Sequence, residues 1–289
     1  MNAMDTTLQD SKQILTPQRN GFLAAGPYPF THALSPYTGC AFGQTTCGLY
    51  CYAQFLPNWS FRGGPATWGK AVVVKQNAAR LLERELAGMS EERRRRLRIF
   101  MSSTTDPYQP AEHTYQMTRQ CLEVFARYPD LDLLVIQTRA PLAERDLPLM
   151  QRIPYAWLSV TIETDQQEIL RQLKGGPVLE KRWQLVEAAH THGVHTQITV
   201  SPCLPYLDLE QFGLRLLHSG AERLVVDTVV DGDGAHGERT ARSPFAAVHG
   251  WNETAHAHHL YDYLVSRAPE CGMVVGWSNP GFCGIPPGF

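Results

Sequence analysis

Cys40, Cys47 and Cys51 stand in the run SPYTGCAFGQTTCGLYCYAQ with the spacing C-x6-C-x3-C. The run is rich in Gly and Thr and poor in charge, so it can wrap round a compact soft-metal centre. Three thiolates on a 4Fe-4S cube leave one iron without a protein ligand, and an open position on a metal marks catalysis rather than structure. Two other accounts of the same residues stay open: three unrelated core thiols, or a zinc site completed by a distant ligand such as His32. The chain holds seven cysteines, an odd number. In a reducing compartment these read as thiols or metal ligands and not as a disulfide framework.

Other polar clusters carry less. The run from Asp231 to Gly234, followed by His236, lacks the remaining ligands of a calcium loop and reads as a flexible turn. His256, His258 and His259 lie beside Asp262 on a solvated helix face. Arg93 to Arg96, preceded by Glu91 and Glu92, read as a helix end of mixed charge.

The elements that must position the cysteines follow from pattern. A chain of 289 residues is long enough for one α/β barrel or two ordinary domains, and 43% hydrophobic with 19% charged residues is globular material. A net charge of −2 lacks the basic signature of a dedicated nucleic-acid binder. The N-terminus has no apolar signal region and no stretch reads as a bilayer span, so the expected location is cytoplasmic. Residues 1–30 read as an irregular lead-in. Strands are expected over 32–35, 98–103, 131–137, 157–162, 195–200 and 223–230. Helices are expected over 70–88, 114–128, 142–153, 178–192, 209–218 and 251–267. Near-continuous apolar strands alternating with helices call for a parallel α/β sheet with right-handed crossovers, either a partial or complete barrel or an open doubly wound sheet. In either fold ligands collect at the C-terminal ends of the strands, and the cysteine loop follows the first of them.

The residues GLYCYAQ around Cys51, with Tyr50 before it and Tyr52 and Ala53 after, resemble the cluster motif of radical S-adenosylmethionine (SAM) enzymes. Within that superfamily the chain resembles the spore-photoproduct-lyase-like group. The likeness continues through TTDPYQPAE, TRQCLEVF, QTRAPLAERDLPLM, LSVTIET and TVSPCLP, roughly residues 35–230. The usual motif is C-x3-C-x2-C, and both gaps are longer here; loop closure costs little per added residue.

The resemblance implies a partial (β/α)6 TIM-like barrel over residues 31–250, with a tail from 251 to 289 that is a candidate cover for the site. It implies a 4Fe-4S cluster on Cys40, Cys47 and Cys51, SAM on the open iron, and an electron donor such as flavodoxin or ferredoxin. Tyr50 is expected near the adenine. Arg139 is expected to grip the SAM carboxylate, where relatives carry Lys. Ser102, Ser103 and Thr104 are expected near the amino group. Ser159 and Glu163 share a strand face with Thr161, which a ribose would satisfy.

The lyase's hydrogen-donor cysteine aligns with Ser103, whose O–H is too strong for that role. Cys283 and Cys203 are therefore the candidate donors. The leading expectation is chemistry on a small metabolite or natural product. A DNA-lesion lyase and a non-catalytic zinc-binding protein are the alternatives, and no membrane partner is expected.

Overall fold

The computed structural model describes residues 5–233, 235–242 and 254–288. Among them the strands are β1 (Asp5–Gln9), β2 (Leu15–Pro17), β3 (His32–Leu34), β4 (Tyr37–Thr38), β5 (Ala71–Lys75), β6 (Arg98–Met101), β7 (Leu133–Thr138), β8 (Ala156–Thr161), β9 (His195–Val200), β10 (Arg223–Val226) and β11 (Val274–Trp277). Strands β3 and β6 to β10 pair in parallel in that order. Helices such as Ala78–Ala87, Leu179–Thr191 and Leu209–Leu217 connect them. This is the expected partial (β/α)6 barrel. Antiparallel β2 extends one edge beside β3, and parallel β11 extends the other beside β10.

The strands bury both faces, and period-2 alternation sorts their side chains. Leu134, Ile136, Leu158, Val160, Ile198, Val200, Leu224 and Val226 pack in the large core that also holds the helices. Their alternates Leu133, Val135, Trp157 and Val225 join Phe100 in a second cluster inside the barrel. The inner face turns polar toward the strand ends, through Ser159, Thr161, Gln197 and Thr199, all buried.

Several elements differ from expectation for local reasons. Residues 71–75 are a strand, not the start of a helix; the β-branched run Val72–Val74 is buried and pairs with β1 and β4. The helix begins only at Ala78. The lead-in is correspondingly not irregular, since it supplies β1 and β2. The strand expected over 223–230 stops at Val226, because the Thr228 hydroxyl accepts from Asp231 N at 3.0 Å and caps a short helix, Val229–Gly232. The helix expected last runs Ala255–Cys271, its expected start at 251–253 lying outside the described residues, and a further short helix, Ser278–Phe282, comes after it.

The two chain ends meet between the sheet edges. The helix Ser278–Phe282 follows β11 and packs on the turn Phe22–Ala24 near β2. Phe22 and Phe282 meet edge to face at 5.6 Å. Asn279 Nδ2 donates to the Phe22 carbonyl, Tyr28 N donates to the Cys283 carbonyl at 3.0 Å, and Arg98 donates to the Ile285 carbonyl. Leu23, Phe30, Phe282, Cys283 and Ile285 thereby complete the inner cluster. No helix of the described residues is long and apolar enough to cross a membrane.

Candidate active site

The x3 gap between Cys47 and Cys51 has a simple consequence. The two residues are one helical turn apart, so both thiols fall on one side of the turn Cys47–Tyr50; Cys51 N donates to the Cys47 carbonyl at 2.9 Å. Gly48 lets this turn lie against the 3-10 turn Ala41–Gln44, because a Cβ there would stand 1.8 Å from the Gly43 carbonyl oxygen.

Cys40 is fixed from another direction. Thr105 and Gln109, in the loop after β6, donate to the Gly39 carbonyl at 2.6 and 3.2 Å. Gln109 Oε1 accepts from Ala41 N at 2.9 Å. The TTDPYQP segment thus acts as a brace for the first cysteine.

The thiols affect one another's protonation. Hydrogen bonding with Cys51 is the largest influence holding the Cys47 thiol below its ordinary value, and Arg139 reinforces it. The same bond pushes Cys51 up, and burial pushes Cys40 up to about 12. Cys47 is therefore the first thiolate, and metal loading must release the other protons. Among the described residues no three His, Cys, Asp or Glu side chains converge tightly enough for a single metal ion. His32, the fourth ligand weighed for zinc, stands at the opposite, N-terminal end of β3, where burial above all holds its imidazole below the ordinary value. The donor set suits a cube, which gives each thiolate its own iron.

Behind the cysteines lies a buried charge network. Glu163 Oε1 accepts from Arg139 at 2.6 Å and from the Tyr50 hydroxyl at 3.2 Å, while Oε2 accepts from Arg182. Burial pushes Glu163 up, but Arg182 and Arg139 more than offset it and hold the carboxyl below its usual range. Arg139 N donates to Asp106 at 2.9 Å, and Asp106 also accepts from Thr138 Oγ1 at 2.7 Å. Asp106 is a brace between two strand ends.

A cavity of about 410 Å³ opens at the C-terminal ends of the strands. Its wall includes Cys40, Cys47, Cys51, Tyr50, Ser102, Ser103, Thr104 and Arg139, so the structure brings these expected site residues together. Ser102 Oγ and Gln137 Oε1 are buried on this wall without a hydrogen-bond partner. Such atoms fit a polar ligand.

Four expected residues lie off the wall. Ser159 sits deeper in the barrel and accepts from Gln197 at 3.1 Å. Glu163 stands behind Arg139 with both oxygens engaged. Cys203 packs in the outer core, and Cys283 packs inside the barrel near the Leu23 carbonyl; neither thiol lines the cavity. The physical reason is the backbone turn at each place. Ser201 and Pro202 take the wall beside Cys203, and Phe282 takes it beside Cys283.

Sequence reasoning missed Gln137, Asp227, Arg182 and Arg239. Asp227 lies just past β10, is 1% exposed and lines the cavity. Its signal was a carboxylate at a strand end, hidden by running the strand on to residue 230. Arg182 gave no signal in a helix of ordinary composition.

No family model matches the chain. It is 28% identical over 178 residues to an uncharacterised protein of Methanocaldococcus jannaschii, covering 61% of each. It is 26% identical over 197 residues to a radical SAM Nα-GlyT isomerase of Pseudomonas phage M6, covering 66% of this chain and 38% of the isomerase. The matched region thus spans under two thirds of either relative. Among solved structures, spore photoproduct lyase superimposes with a TM-score of 0.62 at 12% identity, covering 94% of this chain and 81% of that one. One structure of that lyase holds SAM and a dinucleoside spore photoproduct. The fold is that of spore photoproduct lyase, and the likeness drawn from the cysteine loop agrees with both that fold and the named radical SAM relative.

Proposed function

We propose that the chain is a radical SAM enzyme acting on a small molecule, with Cys40, Cys47 and Cys51 as cluster ligands. One observation carries the reading: the three thiols of the cysteine loop line one cavity at the strand ends, with Cys47 predisposed to the thiolate. A 4Fe-4S cluster bound there would supply the electron that splits SAM reductively and so yields a 5′-deoxyadenosyl radical able to take hydrogen from the substrate.

The protein's share is placement. Arg139, fixed by Glu163 and Tyr50, holds a cation beside the cysteines for the SAM carboxylate. Ser102 Oγ and Gln137 Oε1 await the cosubstrate's polar groups. Ser103 and Thr104 stand on the same wall. Tyr50 lines the cavity with its ring held by the hydroxyl, as an adenine contact requires. Ser159 and Glu163 serve as supports and not as ribose ligands.

Since neither Cys203 nor Cys283 lines the cavity, quenching by either thiol is not favoured. Tyr52 does line it, with its hydroxyl on the Ser103 carbonyl at 2.5 Å, and is the phenolic hydrogen donor open to a substrate radical. The phage relative's name supports isomerisation, in which the hydrogen is taken and returned. The cavity volume of about 410 Å³ and the net charge of −2 favour a small substrate over duplex DNA. A flavodoxin or ferredoxin would supply the electron.

The test is anaerobic incubation of reconstituted protein with dithionite and SAM. The wild type should form 5′-deoxyadenosine and Cys51→Ala should not; equal, background-level nucleoside from both would reject the reading.

A further inference from the structure

The cavity has a second chemical pole, away from the cysteines, built from the segment after β10. Asp227 is 1% exposed there, and its backbone is pinned to β9: its N–H donates to Val200 at 3.0 Å, and its carbonyl accepts from Cys203 N at 2.7 Å. Its carboxylate receives only neutral donors. Thr228 N reaches Oδ1 at 2.9 Å, Ser201 Oγ reaches Oδ2 at 3.3 Å, and Ser278 bonds it from the C-terminal helix. Among the described residues no Lys, Arg or His pairs with it. Gly232 packs its backbone against the carboxylate, where a Cβ would stand 2.2 Å from Oδ2, so the carboxylate meets a ligand from the cavity side. Arg239 lines the same cavity, but its guanidinium bonds the Asp233 carbonyl at 2.7 Å and not Asp227.

A buried carboxylate without a cation is costly, and neutral hydrogen bonds recover only part of that cost. The arrangement makes sense when the missing cation arrives with a ligand. We infer that Asp227 is the substrate anchor of this cavity and that the substrate carries an ammonium group, which pairs with the Asp227 carboxylate from the cavity. The inference rests on the cavity being the place of reaction proposed above, and it deepens that reading by naming a substrate class: an amine.

The protonation of the empty site agrees. Burial pushes the Asp227 carboxyl up to about 7, and the hydrogen bonds from Ser278, Thr228 and Ser201 offset this only in part. The charged and titratable groups facing it are Asp231 on the helix Val229–Gly232, which raises it further, Tyr52 from the cysteine loop, and Arg239 across the cavity. Below neutrality the empty site therefore holds a proton, which an ammonium ligand must displace.

Infrared spectroscopy of the purified chain at about pH 6, with and without reconstituted cluster, reads this directly. The wild type should show a protonated-carboxyl band that Asp227→Asn lacks. Methylammonium chloride should abolish the band, and sodium chloride at equal ionic strength should leave it. If Asp227→Asn does not fold, the frequency shift of the band in Asp227→Glu assigns it instead. Persistence of the band in methylammonium overturns the inference, as does the absence of any Asp227-dependent band, since a carboxylate already ionised needs no incoming cation. Neither electron transfer nor SAM cleavage enters the readout, so its failure leaves the cluster reading standing, and failure of the cluster leaves the band measurable.

Discussion

Glu163 illustrates how one residue can be essential to a site without touching its ligands. Its carboxylate satisfies Arg139, Arg182 and Tyr50 at once, all in the interior. Removing the charge strands Arg182, whose side chain is 2% exposed. Glu163→Gln should therefore lose about 3 kcal/mol of stability, read by denaturant melts, and should raise the KM for SAM as Arg139 loosens. An unchanged KM in folded variant would contradict the support role. The cysteines and Arg139 were legible because their chemistry is unusual for a core and their spacing is local. The placement of Cys203 and Cys283 off the cavity wall was not legible, because a sequence does not reveal which side of a turn a thiol faces. Asp227 was missed because its meaning depends on where a strand stops.

At the scale of elements, the cysteine loop is a tight fold-back in which Gly48 lies against Gly43 and the TTDPYQP segment provides a brace. The longer x6 gap is taken up by the short 3-10 turn Ala41–Gln44. Gly48→Ala should force the turn apart and abolish iron incorporation while far-ultraviolet circular dichroism stays unchanged, since the barrel strands do not depend on it. Full iron loading in that variant would refute the close contact. The apolar strands β7 to β10 were readable from composition, because burial on both faces demands it. The segment 70–77 was not, because Ala, Val and Lys satisfy helical spacing as well as strand alternation, and only pairing with β1 decides between them.

For the whole molecule, the six parallel strands set the cavity, but the chain ends finish it. Phe282 and Phe22 both line the cavity and pack on each other across the space between the sheet edges. This pairing joins residues far apart in sequence, so no local pattern announced it. Phe282→Ala should cost about 3 kcal/mol by calorimetry and weaken substrate binding by opening the wall; a variant as stable as wild type would show that the ends do not seal the barrel. The proposed chemistry rests on the three thiols. The most direct test is electron paramagnetic resonance of the anaerobically reconstituted, reduced protein with and without SAM. We expect about four irons per chain and a cluster signal that changes when SAM is added. Protein without iron, or with a signal indifferent to SAM, would contradict the account.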